Sequence, residues 1–351
     1  MNRTAIISIR RALQCSMTAT AIVAVAGAGL AAAGPGGLVL VLEKSKNNLV
    51  IVDPDTRAVV ARVPVGNDPH EVVASDDGRV AYISNYERGS GHTIARVDLI
   101  NRRALPPIEL GVLGAPHGLA FRGGALYFTA EAAKVVARWN PATEQVDWVM
   151  GTGKNRTHMV VVSHDQKVVF TSDDGSGTVS VIEQPPVPTP ARLGAAGGRA
   201  PGAAWNIDTI SVAPRSEGFD LSPDGRELWI ANATEGTISV VDVAARKILT
   251  TIPSNKAANR IRFSPDGKYV LVPDLRGTQL LIIDTATRAE YRRIELPGSS
   301  EGVVVSPDGQ FAYVTLPSRD SVGIVDLTTM AVVGEVPTGK GPDGLAWATT
   351  R

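Results

Sequence analysis

Three of the five histidines recur at corresponding places along the chain, where together they could bind a metal ion. His70, His117 and His158 each precede a short apolar run that ends in turn-forming residues, and other polar residues take the same place four more times. The seven positions are His70, His117, His158, Glu217, Asn259, Glu301 and Asp343. Neutral imidazoles combined with a carboxylate are donors that hold divalent transition ions in proteins. The pattern therefore predicts a metal site, provided that the fold brings these positions together.

We assign the predicted metal ligands to three histidines and one carboxylate: His70, His117, His158 and Glu217. Zinc, copper, manganese and iron all suit such a set. A bound ion would act as a Lewis acid, with Glu217 or Glu301 as the catalytic base. The structural interpretation stays open beside this one, because polar side chains at these positions could simply surround a water-filled channel.

Two arginines near the seven positions predict that the ligand is an anion. Arg156 and Arg215 each stand two residues before a member of the set, and guanidinium groups bind carboxylates or phosphates through paired hydrogen bonds. With Asn259 and Asp343, they form the predicted ligand-binding residues. The alternative is that both arginines are solvated loop charges.

A sequence repeat indicates the elements that position these residues. The peptide Ser-Pro-Asp-Gly begins at Ser222, Ser264 and Ser306, with 42 residues between successive copies. Short runs of β-branched residues separated by turn-forming residues predict four strands in the last repeat, at 302–305, 311–315, 321–325 and 331–336. A four-stranded antiparallel sheet of about 40 residues is typical of a propeller blade.

The repeat and the two chain ends predict a closed ring of seven blades. Successive members of the seven positions are 47, 41, 59, 42, 42 and 42 residues apart, so the fourth blade has an insertion at about 184–205. The segment 342–348 is typical of an innermost strand with no blade after it, and 37–42 of a second strand with no first. We therefore predict an all-β, seven-bladed β-propeller over residues 34–351, with four antiparallel strands per blade and one blade shared by the N- and C-terminal strands.

The repeats resemble the YVTN-type propeller repeats of bacterial and archaeal surface and periplasmic proteins. Tyr82-Ile-Ser-Asn85 and Tyr313-Val-Thr-Leu316 are the nearest copies of the tetrapeptide that names the family. The resemblance implies the propeller fold but leaves the activity open, since similar blades occur in binding modules, lactonases, streptogramin-type lyases and subunits of redox enzymes. Calcium-dependent lactonases of this kind would present mainly carboxylates and amides, so three histidines depart from that pattern.

The N-terminal residues predict export. Arg3, Arg10 and Arg11 precede a weakly apolar stretch that ends in small residues, which is typical of a signal peptide over residues 1–33 that is cleaved near Gly34. The arginine pair weakly resembles a twin-arginine signal. A retained membrane anchor is the alternative, although no later stretch is apolar enough to span a bilayer. We expect a periplasmic or secreted protein.

Composition excludes several function classes. Lys+Arg and Asp+Glu are both 35, so no charge excess favours nucleic acid as a partner. Cys15 is the only cysteine and lies within the predicted signal peptide, so no disulfide, thiolate site or haem-attachment motif is expected in the mature chain. The Ser-Pro-Asp-Gly turns are interpreted as structural and not as nucleotide-binding loops. We expect a monomer without haem or nucleotide.

Two functions remain open from the sequence. The first is an exported propeller that carries a transition metal at the mouth of its axial channel and binds or transforms a small molecule there, as a lyase, hydrolase or oxidoreductase would. The second is a non-catalytic scaffold that binds a protein or surface polymer on the channel face.

Overall fold

The repeated segments form seven four-stranded antiparallel sheets, and the fold is the predicted seven-bladed β-propeller. The computed structural model describes residues 36–184, 205–254 and 257–349. The predicted signal peptide, 1–33, and most of the predicted insertion, 184–205, lie outside the described residues. Within the described ranges, no helix is long and apolar enough to cross a membrane.

The strands follow one another in chain order around the ring. The first fifteen are β1 (Leu38–Glu43), β2 (Asn48–Asp53), β3 (Ala58–Pro64), β4 (Pro69–Ala74), β5 (Val80–Asn85), β6 (Thr93–Asp98), β7 (Arg103–Glu109), β8 (Pro116–Arg122), β9 (Ala125–Ala130), β10 (Val135–Asn140), β11 (Gln145–Gly151), β12 (Thr157–Val162), β13 (Val168–Asp173), β14 (Thr178–Glu183) and β15 (Asn206–Ser211). The others are β16 (Ser216–Leu221), β17 (Glu227–Asn232), β18 (Thr237–Asp242), β19 (Lys247–Pro253), β20 (Arg262–Phe263), β21 (Tyr269–Pro273), β22 (Gln279–Asp284), β23 (Ala289–Glu295), β24 (Val303–Val305), β25 (Phe311–Leu316), β26 (Ser321–Asp326), β27 (Ala331–Pro337) and β28 (Pro342–Ala348).

Blade 1 joins the two ends of the chain. Its strand order is β28-β1-β2-β3, whereas blades 2 to 7 take four consecutive strands each, starting from β4. The inner strand β28 pairs with β1 in antiparallel register, with Trp347 opposite Val39 and Leu345 opposite Val41. The predicted shared blade is therefore confirmed, and the closure leaves no unpaired strand edge at the seam of the ring.

The Ser-Pro-Asp-Gly peptides form the turns between the first and second strands of their blades. In the copy at Ser222, the serine hydroxyl donates to the Asp224 carboxylate at 2.6 Å and accepts from the backbone N–H of Glu227 at 2.9 Å. Gly225 has a φ of +74°, which glycine adopts without strain. These turns are stabilised by their own side chains, in agreement with the structural role predicted for them.

The hydrophobic core consists of layers between neighbouring blades. Each blade turns one face toward the blade before it and the other toward the blade after it, so alternate residues of a strand enter different layers. Between blades 2 and 3, for example, the buried Ile94 packs with Leu126 and Phe128. Because this packing repeats around the ring, the blades hold their inner strands at fixed positions around the axis.

Candidate functional site

The seven positions singled out in the sequence lie at the start of the inner strands, and we call them the inner ring. Irregular strand pairing accompanies most of them: in blade 3, Pro116 pairs with Ala130 and Leu119 with Phe128, so His117 and Gly118 lie in a bulge. A bulge re-aims the side chain that it contains. Five inner-ring residues are buried, and His70 and Glu301 are half-buried.

Glycine follows the inner-ring residue in four blades because the strands crowd together there. A Cβ on Gly118 would lie 2.5 Å from the Cα of Met159 in the next blade, and one on Gly344 would lie 2.3 Å from the carbonyl oxygen of His70. No real Cβ tolerates such distances from backbone. The glycine that follows an inner-ring residue is thus required by the close packing of the inner strands around the axis.

A second set of residues, the outer ring, follows the second strand of each blade: Lys44, Tyr86, Glu131, Asp174, Ala233, Leu275 and Pro317. Corresponding backbone hydrogen bonds show that these positions are equivalent. The N–H of Glu131 donates to the carbonyl oxygen of Ala115. In the same way, the N–H of Asp174 donates to the carbonyl oxygen of Arg156, and the N–H of Ala233 to the carbonyl oxygen of Arg215. The sequence analysis missed this ring as a set. The repeat holds the signal, because these residues stand about 16 positions after the inner-ring residue of the same blade.

Two inner-ring histidines and one outer-ring carboxylate form a group that could hold a metal ion. One ligand atom from each of His117, Glu131 and His158 lies within 4.8 Å of the other two. His117 and His158 are 3% and 2% exposed, and Glu131 is 8% exposed. Of the four predicted ligands, His117 and His158 belong to this group, and the other two adjoin it: the ring of His70 lies 5.0 Å from that of His117, and Glu217 lies 2.9 Å from His158. Glu131 was not predicted from the sequence.

His158 is held between two carboxylates. Its Nδ1 lies 2.6 Å from Oε1 of Glu131, and its Nε2 lies 2.9 Å from Oε2 of Glu217. Burial by itself lowers the pKa of His158, but the hydrogen bonds to Glu131 and Glu217 outweigh it, and the pKa is raised above its ordinary value. The ring of the metal-free protein therefore favours the imidazolium form, in which both N–H groups donate.

His117 has the opposite electrostatic environment. Burial, together with the neighbouring positive charge of His158, holds the pKa of His117 well below its ordinary value. Its ring stacks on that of His158 with 3.9 Å between centroids. Nδ1 of His117 is buried and has no hydrogen-bond partner among the described residues. His117 is thus a neutral imidazole with a nitrogen lone pair available.

Tyr86, another outer-ring residue, contacts the carboxylate of this group and two of the histidine rings. Its hydroxyl donates to Oε2 of Glu131 at 2.7 Å, and its ring meets the rings of His70 and His117 edge-on, with centroids 5.0 and 5.2 Å away. Burial and the Glu131 carboxylate raise the pKa of Tyr86 to about 12. The phenol therefore stays protonated and fixes the orientation of Glu131.

His70 lies beside His117, with 5.0 Å between ring centroids, and on its other side it contacts a cation. The ammonium of Lys44 lies 2.8 Å from Nε2 and 3.1 Å from Nδ1 of His70, 3.1 Å from Oδ2 of Asp343 and 3.6 Å from Oδ1 of Asp68. Burial by itself would raise the pKa of Asp343. The hydrogen bond with His70 and the positive charge of Lys44 outweigh burial and lower the pKa to about 2. Asp343 is thus an ionised carboxylate that balances Lys44.

Glu301 completes the polar lining beside Asp343. Oε1 of Glu301 lies 3.5 Å from Nδ2 of Asn259, which donates to it. Burial and the negative charge of Asp343 raise the pKa of Glu301 to about 8. With such a pKa the carboxyl retains its proton at neutral pH and can donate it to a neighbouring group.

Arg156 and Arg215 lie at the rim with their charges partly balanced. Arg156 forms an ion pair with Asp174 and lies 3.6 Å from Glu131, and Arg215 donates to Glu217 at 2.8 Å. Both side chains remain about half exposed, at 45% and 55%. They border the histidine group.

An ion pair lies one residue deeper, below the inner ring. Glu71 in blade 2 and Arg260 in blade 6 follow inner-ring residues in the chain and pair with each other across the axis. Burial lowers the pKa of Arg260, but Glu71, Asp343 and Glu301 raise it overall. Neither residue was predicted from the sequence.

Comparisons with known proteins support the fold. No protein-family model matches the sequence, and no curated protein matches it. A functionally unknown protein from Desulfotomaculum acetoxidans matches 90% of this chain and 100% of its own at 10% identity, with a TM-score of 0.74. A putative 6-phosphogluconolactonase from Bacteroides fragilis covers 89% and 98% of the two chains at 16% identity, with a TM-score of 0.68. The dihydro-haem d1 dehydrogenase NirN covers 90% and 76% at 18% identity, with a TM-score of 0.62. At these identities the likeness extends to the propeller fold alone.

Proposed function

We propose that the protein is an exported propeller that binds a divalent transition ion and uses it to bind or transform a small anionic molecule at the channel mouth. The observation that carries the proposal is the buried group of His117, Glu131 and His158, whose ligand atoms lie within 4.8 Å of one another. Two imidazoles and one carboxylate suit zinc, iron, manganese or copper and leave further coordination positions open.

The state of His117 supports this assignment. A buried nitrogen without a hydrogen-bond partner is destabilising unless something satisfies it. Because the pKa of His117 lies well below its ordinary value, no proton has to be removed from that ring before it binds an ion. A metal ion would pair with the free nitrogen and remove the cost of its burial.

The two carboxylates around His158 would then have different roles. If His158 binds the ion through Nδ1, it gives up the proton that Glu131 now accepts, and its Nε2–H continues to donate to Glu217. A carboxylate that accepts from the second nitrogen of a metal-bound histidine fixes the ring and strengthens it as a ligand. Glu217 is thus proposed as a positioning residue, and Glu131 as the carboxylate ligand in its place.

The rest of the mouth would bind the ligand of the ion. The half-exposed side chains of Arg156 and Arg215 would attract an anion through their guanidinium groups. Across the channel, Asn259 donates hydrogen bonds, and Glu301 retains a proton that it can transfer to a ligand oxygen. The ion itself would supply Lewis acidity.

A metal-free binding propeller is the second candidate. Its supporting observation is that His158, as an imidazolium between Glu131 and Glu217, already balances those carboxylates, while Lys44 balances Asp343. The mouth would then bind an ionic group of a small molecule, protein or polymer without an ion.

Metal titration distinguishes the two candidates. Purified protein freed of metal with a chelator should bind about one equivalent of Zn²⁺ or Mn²⁺ by calorimetry, and His117→Ala or Glu131→Gln should abolish this binding. His92→Ala and His164→Ala are matched controls, because neither residue belongs to the group, and they should bind as the wild type does. Absence of stoichiometric binding by a folded wild-type protein would reject the metal and leave the second candidate.

Export is tested separately. Material from the periplasm or medium of an expressing bacterium should have the mass of a chain that begins near Gly34. Material that retains residues 1–33 would contradict cleavage of the signal peptide.

A further inference from the structure

A pocket lies at the other end of the axial channel, where the inner strands reach the turns to the second strands. Its volume is about 380 Å³, within the range of about 300–1,000 Å³ that is usual for pockets that hold small molecules. The inner strands of five blades line it, namely β4, β8, β20, β24 and β28. We call it the distal pocket, and its apolar walls include Val73, Phe121, Phe263, Val304 and Trp347.

The three aromatic residues of these walls are each held by an aromatic ring of the blade before. Phe121 stacks on Tyr82 with 5.4 Å between centroids, Phe263 meets Trp229 edge-on at 5.7 Å, and Trp347 lies 5.9 Å from Tyr313. Packing of this kind fixes the rings in place. An apolar ligand that covers them therefore orders few side chains, which favours binding.

Arg262 is the only charged residue that lines the distal pocket. Its side chain is 46% exposed, and its Nη1 lies 3.5 Å from Oδ1 of Asp220, its one ion-pair partner among the described residues. That carboxylate also accepts from the backbone N–H groups of Leu221 and Phe263, at 3.1 and 3.0 Å. The positive charge of Arg122 acts on the same carboxylate. Two guanidinium groups thus share one carboxylate, and an anionic ligand would complement the remaining positive charge.

The other carboxylates around the pocket have partners of their own. Asp266 and Asp308, in the adjoining turns, each accept from the serine hydroxyl of their own turn at 2.6 Å and from a backbone N–H at 3.0 Å. Glu71, toward the inner ring, pairs with Arg260. Arg262 is therefore the group that selects the charge of a ligand.

We propose that the distal pocket binds a small apolar carboxylate, whose head pairs with Arg262 and whose body packs on Phe121, Phe263 and Trp347. One guanidinium group matches one planar carboxylate through two parallel hydrogen bonds. The site lies at the opposite end of the inner strands from the metal-binding group, and the inference does not depend on a bound ion.

Three probes test the proposal on protein freed of metal with a chelator, so that no carboxylate can bind an ion. Octanoate should bind with about one equivalent by calorimetry. Acetate lacks the apolar body and octylammonium reverses the charge, so each should bind at least tenfold more weakly. Equal binding of octanoate and octylammonium would overturn the inference.

Substitutions locate the binding. Arg262→Gln should weaken octanoate binding at least tenfold, and Ala346→Leu, which fills part of the pocket, should weaken it without a change of charge. Arg103→Gln is the matched control, because Arg103 also lies 3.5 Å from an aspartate but belongs to the outer strand β7. It should bind octanoate as the wild type does. Equal binding by Arg262→Gln and Arg103→Gln, with both proteins folded by circular dichroism, would overturn the inference and leave the metal site standing.

The end of the chain and a second copy are the alternative occupants. Residues 350–351 follow the Trp347 wall and lie outside the described residues. A chain that ends at Thr349 should bind octanoate as the full chain does, and sedimentation should give a monomer with and without octanoate. Tighter binding by the shortened chain, or a dimer that octanoate dissociates, would assign the pocket to one of these occupants and overturn the inference.

Discussion

His158 and Glu217 come from neighbouring blades, and Nε2 of the imidazole lies 2.9 Å from Oε2 of the carboxylate. A backbone contact supports the same approach, since the Ser172 hydroxyl donates to the carbonyl oxygen of Glu217 at 2.9 Å. The packing of blade 4 on blade 5 therefore orients the ring of His158. An ion bound at His158 would depend on this pair without contacting Glu217.

The first prediction separates a positioning carboxylate from a ligand. Glu217→Gln should weaken Zn²⁺ binding by about 10- to 100-fold, as is usual when the partner of a metal-bound histidine is altered. Glu131→Gln should abolish binding in the same calorimetric titration. If Glu217→Gln abolished binding and Glu131→Gln did not, Glu217 would be the ligand, as the sequence first suggested.

The repeat made most of the fold predictable. Ser222, Ser264 and Ser306 mark equivalent turns, and the segments predicted as strands in the last repeat agree with β24 to β27 to within one residue at each end. The closure of blade 1 could also be predicted, because 342–348 and 37–42 are each incomplete without the other. A local pattern of turns and apolar runs is enough to predict the blades, since every blade packs on its neighbours in the same way.

The composition of the site could be predicted only in part. The inner ring follows from the repeat, so His117 and His158 were found, but the distance from one blade to another is set by bulges and by glycines such as Gly118. Glu131 was missed because it lies after the second strand, where no other blade has glutamate. The contact of His70 with Lys44 of the adjoining blade 1 could not be predicted either, because it depends on how the two blades pack.

The second prediction concerns the pH dependence of stability. The pKa of Glu301 is about 8 in the folded protein and 4.5 in an unfolded chain. Between these values the folded state binds more protons, so the free energy of unfolding should decrease as pH rises. Glu301→Gln keeps a neutral side chain at every pH and should remove this contribution.

The measurement is the difference in Tm between wild type and Glu301→Gln in metal-free buffer from pH 5 to pH 8. Other groups that face Glu301, including Asp343, Arg260 and Lys44, are present in both proteins, so their contributions to the difference in Tm largely cancel. The wild type should lose several degrees relative to the variant as pH rises. Parallel Tm curves would show that Glu301 ionises normally in the fold.

The third prediction tests the closure of the ring. A chain that ends at Gly341 lacks β28, so blade 1 loses its inner strand and β1 gains an unpaired edge. Leu345 and Ala348 are buried, and each large apolar side chain lost from the core removes about 1.5–3 kcal/mol. We expect Tm to fall by more than ten degrees or folding to fail. Deletion of residues 350–351 alone is the control, and equal melting of the two truncated chains would contradict the closure.

The last prediction concerns the ion pair of Glu71 and Arg260 beneath the inner ring. Their side chains are only 13% and 12% exposed, so replacing Arg260 leaves the carboxylate of Glu71 largely buried without its ion-pair partner. Arg260→Met should therefore lower the free energy of unfolding by about 3–5 kcal/mol. The double variant Glu71→Gln, Arg260→Met removes both charges and should recover most of that loss. Denaturant unfolding of the wild type, both single variants and the double variant measures the coupling directly. If the losses of the single variants simply added in the double variant, the two side chains would not stabilise each other across the axis.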